Sequence, residues 1–133
     1  MNKIIIVLLI AGFSTTVNAF SGADLLAQCK HFVGIIDGNR PDSQGILLAG
    51  QCGGYVLGVQ EGFIASSELA DVVSEETGSP IVTKKQWKIP SDVEPESIVR
   101  IVVRYLEINT DMHSMPAVLS VLNALRQAYP VKQ

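Results

Sequence analysis

Four side chains could support covalent or metal chemistry: Cys29 and His31, two positions apart, then Cys52 and His113. A cysteine thiolate beside a histidine base is the working pair of a nucleophilic hydrolase, and the same residue types bind zinc. Structural zinc takes four protein ligands and catalytic zinc three. Two lone histidines at unrelated positions supply neither set, so no metal and no other cofactor is expected. No pair of acidic residues stands out as a catalytic couple. Both cysteines fall on apolar helix faces, His31 points away from Cys29 on its helix, and an even cysteine count in an exported chain most simply gives a disulfide, which removes the nucleophile. The chain therefore does not read as an enzyme.

Export is inferred from the first residues. A basic start at Lys3, an apolar run from Ile4 to Phe13 and the small-x-small pattern Val17-Asn18-Ala19 form a secretory leader with cleavage after Ala19. The run is too short to span a bilayer, which needs about 20 apolar residues. No cysteine follows the cleavage point to take a lipid. Residues 1–19 are thus read as the signal peptide and 20–133 as one domain, placed in the periplasm. Removing nineteen residues from 133 leaves 114, enough for one core. The formal charge of −3 becomes −4 once Lys3 is lost, an acidic balance that argues against nucleic acid as a partner.

The elements that position these residues read as helices. Ser21-Gly22-Ala23-Asp24 has the spacing of a capping box, and Leu25, Cys29, Phe32 and Ile36 then share one face. Asp37 to Asp42 is a run of turn formers. From about Ser43 to Leu69 a second helix carries Leu48, Cys52, Tyr55, Val59 and Phe63 on one stripe and Gly50, Gly54, Gly58 and Gly62 on another. Each glycine weakens a helix by about 1 kcal/mol relative to alanine. The row is therefore expected to admit a neighbouring backbone at close range, with the second helix at the centre of a bundle. A membrane helix is argued against by Gln51, Gln60 and Glu61, and a phosphate loop by the missing strand and Gly-Lys-Ser/Thr.

Asp71 to Pro95 reads as irregular, with turns at Thr77-Gly78-Ser79-Pro80 and Ile89-Pro90-Ser91-Asp92 around a short extended piece at Ile81-Val82-Thr83. Pro95 suits a first helical turn, and Ile98, Val102, Tyr105 and Leu106 follow as an apolar face. Ser114 and Pro116 start a fourth helix, with Val118, Leu122, Leu125 and Tyr129 on one side until Pro130. The fold expected is all-α: a small four-helix bundle-like domain stapled by one disulfide, Cys29 to Cys52, with a long irregular loop between helices 2 and 3.

In this order, "FSGADLLAQC", "CGGYVLGVQEGF", "IPSDVEPESIVRIVVRYLE" and "VLSVLNALRQAYP" resemble the Rap/Tai family of periplasmic immunity proteins. That family protects a cell against peptidoglycan amidase effectors delivered by type VI secretion. The likeness covers nearly all of the chain after the leader, and its most specific part is Cys52, Gly54, Tyr55 and Gly58 coupled to Ile89-Pro90. The resemblance implies a rigid helical inhibitor, often a homodimer, that occludes the amidase groove with a loop. Members typically carry a second cysteine pair where this chain has Lys88 and Val131. Both are replaced together, which reads as a dispensable staple and leaves the end of the fourth helix less firmly tied to the Trp87 loop.

Specificity in such inhibitors resides in surface loops, which places the toxin contacts on Glu75, Glu76, Lys84, Lys85, Trp87 and Lys88. Trp87 has two readings, a hot-spot anchor or a lid packed over the bundle end. The lysines also read as a solvated patch. The competing function is a periplasmic acid-stress chaperone with a single disulfide, which would open as its carboxylates protonate and suppress aggregation at about pH 2 to 3.

Overall fold

The computed structural model describes residues 19–79 and 87–131. The leader up to residue 18, the extended piece at Ile81-Val82-Thr83 and the lysines Lys84 and Lys85 lie outside the described residues. Four helices follow one another: α1 (Gly22–Ile36), α2 (Ser43–Thr77), α3 (Pro95–Ile108) and α4 (Ala117–Ala128), with a 3-10 turn, Thr110–Ser114, before α4. Among the described residues there is no strand, only two isolated bridges, Ser21 with Pro116 and Trp87 with Pro130.

The α1 start is the expected capping box. The Ser21 hydroxyl accepts the Asp24 N–H at 3.2 Å, and the Asp24 carboxylate accepts the Ser21 N–H at 3.0 Å and its O–H at 2.6 Å. These bonds hold the Asp24 carboxyl below its ordinary value, the side-chain bond from Ser21 contributing most and its backbone N–H next. Asp42 caps α2 by accepting the Gly45 N–H at 2.7 Å.

Helix α2 is longer than the sequence reading allows. It runs through Asp71–Thr77, which that reading leaves irregular, and stops where Gly78 takes φ 65°, a conformation that favours glycine. The serine and threonine hydroxyls in the second half of α2 bond within it. Ser66, Ser67, Ser74 and Thr77 donate to carbonyls three or four residues back, turning residues that often end helices into internally bonded ones. At about 1.5 Å per residue the 35 residues span roughly 52 Å, more than twice the other helices.

Helix α1 lies along α2 and also meets α3, α4 and the 3-10 turn. The core between them holds Leu25, Val56, Val99, Val102, Leu106 and Leu125, all fully buried. Cys29 and Cys52, equally buried, form the predicted disulfide. The 3-10 turn is tied to the start of α1: Gly22 donates its N–H to Met115 O and Ala117 its N–H to Phe20 O, both at 2.9 Å.

Candidate partner-binding surface

Of the residues the sequence assigns to toxin contact, Trp87 is placed most decisively. It is 5% exposed, and its indole stacks on Phe63 of α2 with ring centroids 4.2 Å apart at 26°. Its backbone bridges Pro130, and the Lys88 N–H donates to Tyr129 O at 3.1 Å. This burial matches the lid reading and not an exposed anchor, since the ring packs on the apolar stripe of α2 that ends at Phe63. The same bridge ties the end of α4 to the Trp87 segment at Lys88, where the resemblance leads one to expect a loose end. Backbone pairing closes the segment that the absent second disulfide would have closed.

Glu75 and Glu76 are exposed on the last turns of α2 rather than in a loop, a correction that follows from the helix running to Thr77. Lys88 is exposed beside the buried Trp87. A shallow cavity of about 170 Å³ lies here, lined by Phe63, Ile64, Ser67, Trp87, Lys88 and Ile89. The segment with Lys88 thus lies against the Phe63 to Ser67 part of α2, and the two carboxylates stand on the helix's last turns.

The glycine row requires the larger correction. Among the described residues nothing lies within 4 Å of the place a Cβ would occupy at Gly50, Gly54, Gly58 or Gly62, and all four are exposed. No neighbouring backbone among the described residues uses the row. The close approaches fall on other glycines. A Cβ on Gly53 would sit 3.0 Å from the Phe32 ring, and one on Gly22 would run into the Met112 carbonyl. The signal was available in the sequence: with Cys52 facing the core, Gly50 and Gly54 are each rotated by about 200° from it at about 100° per residue, which points them outward.

Beside the row, Phe20 and Tyr55 meet edge to face at 4.9 Å, and with Gln28, Gly50, Gln51 and Gly54 they line a second, mostly apolar cavity of about 460 Å³. Burial pushes the Tyr55 phenol above its ordinary pKa, while a hydrogen bond with the Val118 backbone pulls the other way. Leu47 is 61% exposed and Leu69 64%, and Val72 is also exposed on α2. The sequence reading did not foresee this apolar surface.

The parts of a hydrolase are not assembled. The cysteines are joined to each other, and His113 Nε2 lies 2.9 Å from the Leu106 carbonyl, at the end of α3. His31 is exposed. No group of three metal-ligating side chains occurs among the described residues, and no helix there is long and apolar enough to cross a membrane.

Compared with known families, residues 21–131 match the model described as Rap1a immunity proteins. No curated protein and no solved structure matches the chain.

Proposed function

The chain belongs to the Rap1a immunity protein family, and from that premise we propose that it is exported to the periplasm, where it binds and occludes a peptidoglycan amidase effector delivered by type VI secretion. The carrying observation is the match over residues 21–131, which takes in every helix and the disulfide rather than one motif. Family membership implies a cognate toxin as partner. Amidase, secretion route and compartment rest on the resemblance of the quoted motifs and on the leader.

Occlusion suits this architecture. A body held by one disulfide and two backbone bridges loses little conformational freedom on binding, so contact energy appears as affinity. The exposed last turns of α2 with Glu75 and Glu76, and Lys88 on the segment that Trp87 anchors to Phe63, are the toxin-facing residues in this reading. The family resemblance adds a second copy of the chain as a further partner.

Binding of the oxidised, exported chain to an amidase encoded beside it tests the reading, with peptidoglycan cleavage as the readout. Tight binding that abolishes cleavage supports it. Binding without loss of cleavage overturns occlusion. Suppression of client aggregation at about pH 2 to 3 with no effector bound would instead favour the acid chaperone.

A further inference from the structure

We propose that the hollow between α3 and α4 binds a small amphipathic anion, an aliphatic chain of about six carbons ending in a carboxylate. None of the residues lining it is among those assigned to toxin contact. The inference therefore does not rest on the proposed function.

The hollow holds about 250 Å³. Two alanines on α4, Ala124 and Ala128, face Ile101, Tyr105 and Ile108 on α3, and the short side chains leave the gap open. Ala124 is buried and Ile108 is 70% exposed, so the apolar wall runs from the core out to the surface, where a longer chain could continue. At about 30 Å³ per non-hydrogen atom the space takes about eight, the size of a six-carbon acid with its two oxygens. A cleft bounded by about two turns of α3 and one of α4 is short for a peptide strand or helix.

The polar groups at the rim select the head of the ligand. Arg104 is exposed and has no ion-pair partner among the described residues, and a guanidinium matches a carboxylate through two parallel N–H donors. Gln127 adds an amide donor beside it. The chain is acidic overall, at −3, yet no carboxylate lines the hollow. On α3, Glu96 and Glu107 lie about 60–80° round from Arg104, on the side away from Ile101 and Ile108. There Glu96 acts on Arg100, which is bonded to Asp37. Helix α4 has no acidic residue, and its Arg126 donates to Asn123. Asp111, on the 3-10 turn, is not part of the wall. Both helices end beside the hollow, and the carbonyls of a helix C-terminus repel an anion. Three of these are already bonded: Tyr105 O by the Asn109 N–H and Nδ2, Leu106 O by His113 Nε2, and Leu125 O by the Tyr129 N–H. The repulsion that remains favours one negative charge over two, hence a carboxylate over a phosphate monoester, which carries nearly two at neutral pH.

Titration of the isotope-labelled, oxidised, exported chain with hexanoate, hexanol and hexylammonium, followed by backbone amide shifts, tests this. Hexanoate should shift the amides around Arg104 and Ala128 with a dissociation constant of about 1 mM. Hexanol should bind the same residues about threefold to fivefold more weakly, and hexylammonium more weakly still. Arg104→Gln should erase the preference for hexanoate and leave hexanol binding unchanged. Ala128→Leu should fill the hollow and weaken both ligands by about tenfold or more. Because Ala128 is exposed, this variant should keep the helical circular dichroism of the parent. No shifts at these residues up to about 20 mM, hexylammonium bound as tightly as hexanoate, or an Arg104→Gln variant that keeps the preference, each overturns the proposal. Hexyl phosphate bound more tightly than hexanoate overturns the assignment of a carboxylate head. No effector enters these measurements, so their failure leaves the immunity reading where it stands.

Discussion

Helix α2 presents two glycine-bearing faces that the sequence makes look alike and the fold treats in opposite ways. Gly45 and Gly53 point inward and are buried, Gly53 beneath the Phe32 ring. Gly50, Gly54, Gly58 and Gly62 point outward, and no described residue lies where their side chains would be. On the inner face the absence of a side chain makes room for α1, so the helix cost is offset locally. On the outer face the cost stands alone. Four-residue spacing identifies a face but says nothing of what lies against it.

The inner face should be the more sensitive. Trp87→Ala removes a buried indole from its stack on Phe63 and should lower stability by about 3–5 kcal/mol, measured by urea unfolding. A loss under about 1 kcal/mol would mean the Trp87 segment is not closed over α2 in solution. Because the fold responds, loss of toxin affinity in this variant would not by itself place Trp87 in the interface. Joint replacement of Cys29 and Cys52 by alanine opens a loop of 23 residues' separation, worth about 3.5 kcal/mol by loop-closure entropy. A melting temperature equal to that of the oxidised parent would show that packing of α1 on α2 suffices without the bond.

The sharpest contrast uses neighbouring positions. Gly53→Leu drives a side chain into Phe32 and should cost about 2–3 kcal/mol. Gly54→Leu projects into open space and should stabilise the monomer by about 0.5–1 kcal/mol through helix propensity. The sequence reading, which treats the row as packed, expects Gly54→Leu to be the damaging change. Similar losses at both positions, measured in dilute solution, would erase the distinction between the faces.

The sequence made the architecture legible because its signals were local. The capping box at Ser21, the proline at the start of α3 and the shared faces of Leu25 with Cys29 and of Ile98 with Val102 each depend on residues within a turn or two. Even the disulfide followed from parity and facing. The end of α2 was not legible, because serine and threonine bond either within a helix or against it, and here they bond within. Trp87 was undecided in the sequence because its burial depends on Phe63, 24 positions away, a contact between a helix and a segment with no periodicity of its own. The outward glycines were misassigned although Cys52 fixed the facing, since leucines around the whole helix hid which side was the core.

Ser120 breaks the pattern that buried means optimised. Its hydroxyl is fully buried with no hydrogen-bond partner, 3.0 Å from where a Cβ on Gly22 would sit. Ser120→Ala should therefore gain about 1 kcal/mol by removing an unpaired polar group, in contrast to the losses expected along the inner face of α2. A loss of similar size would show that the hydroxyl has a partner, such as a bound water.

The smallest effect concerns the cap of α1, the helix that covers that inner face. The Asp24 carboxyl is held below its ordinary value by Ser21, so its stabilising contribution is present above the unfolded carboxylate pKa of about 3.9 and is lost as pH falls through the lower folded value. The pair is exposed, and the change is correspondingly small. Asp24→Asn should melt below the parent at neutral pH, and the gap should close as pH drops below about 4. A gap that is constant across pH would mean that the asparagine differs through packing or propensity and that the carboxylate does not cap α1 in solution. In that event the hold of α1 on the inner face would rest on the disulfide and Phe32 over Gly53, and the contrast between the two faces of α2 would owe nothing to charge.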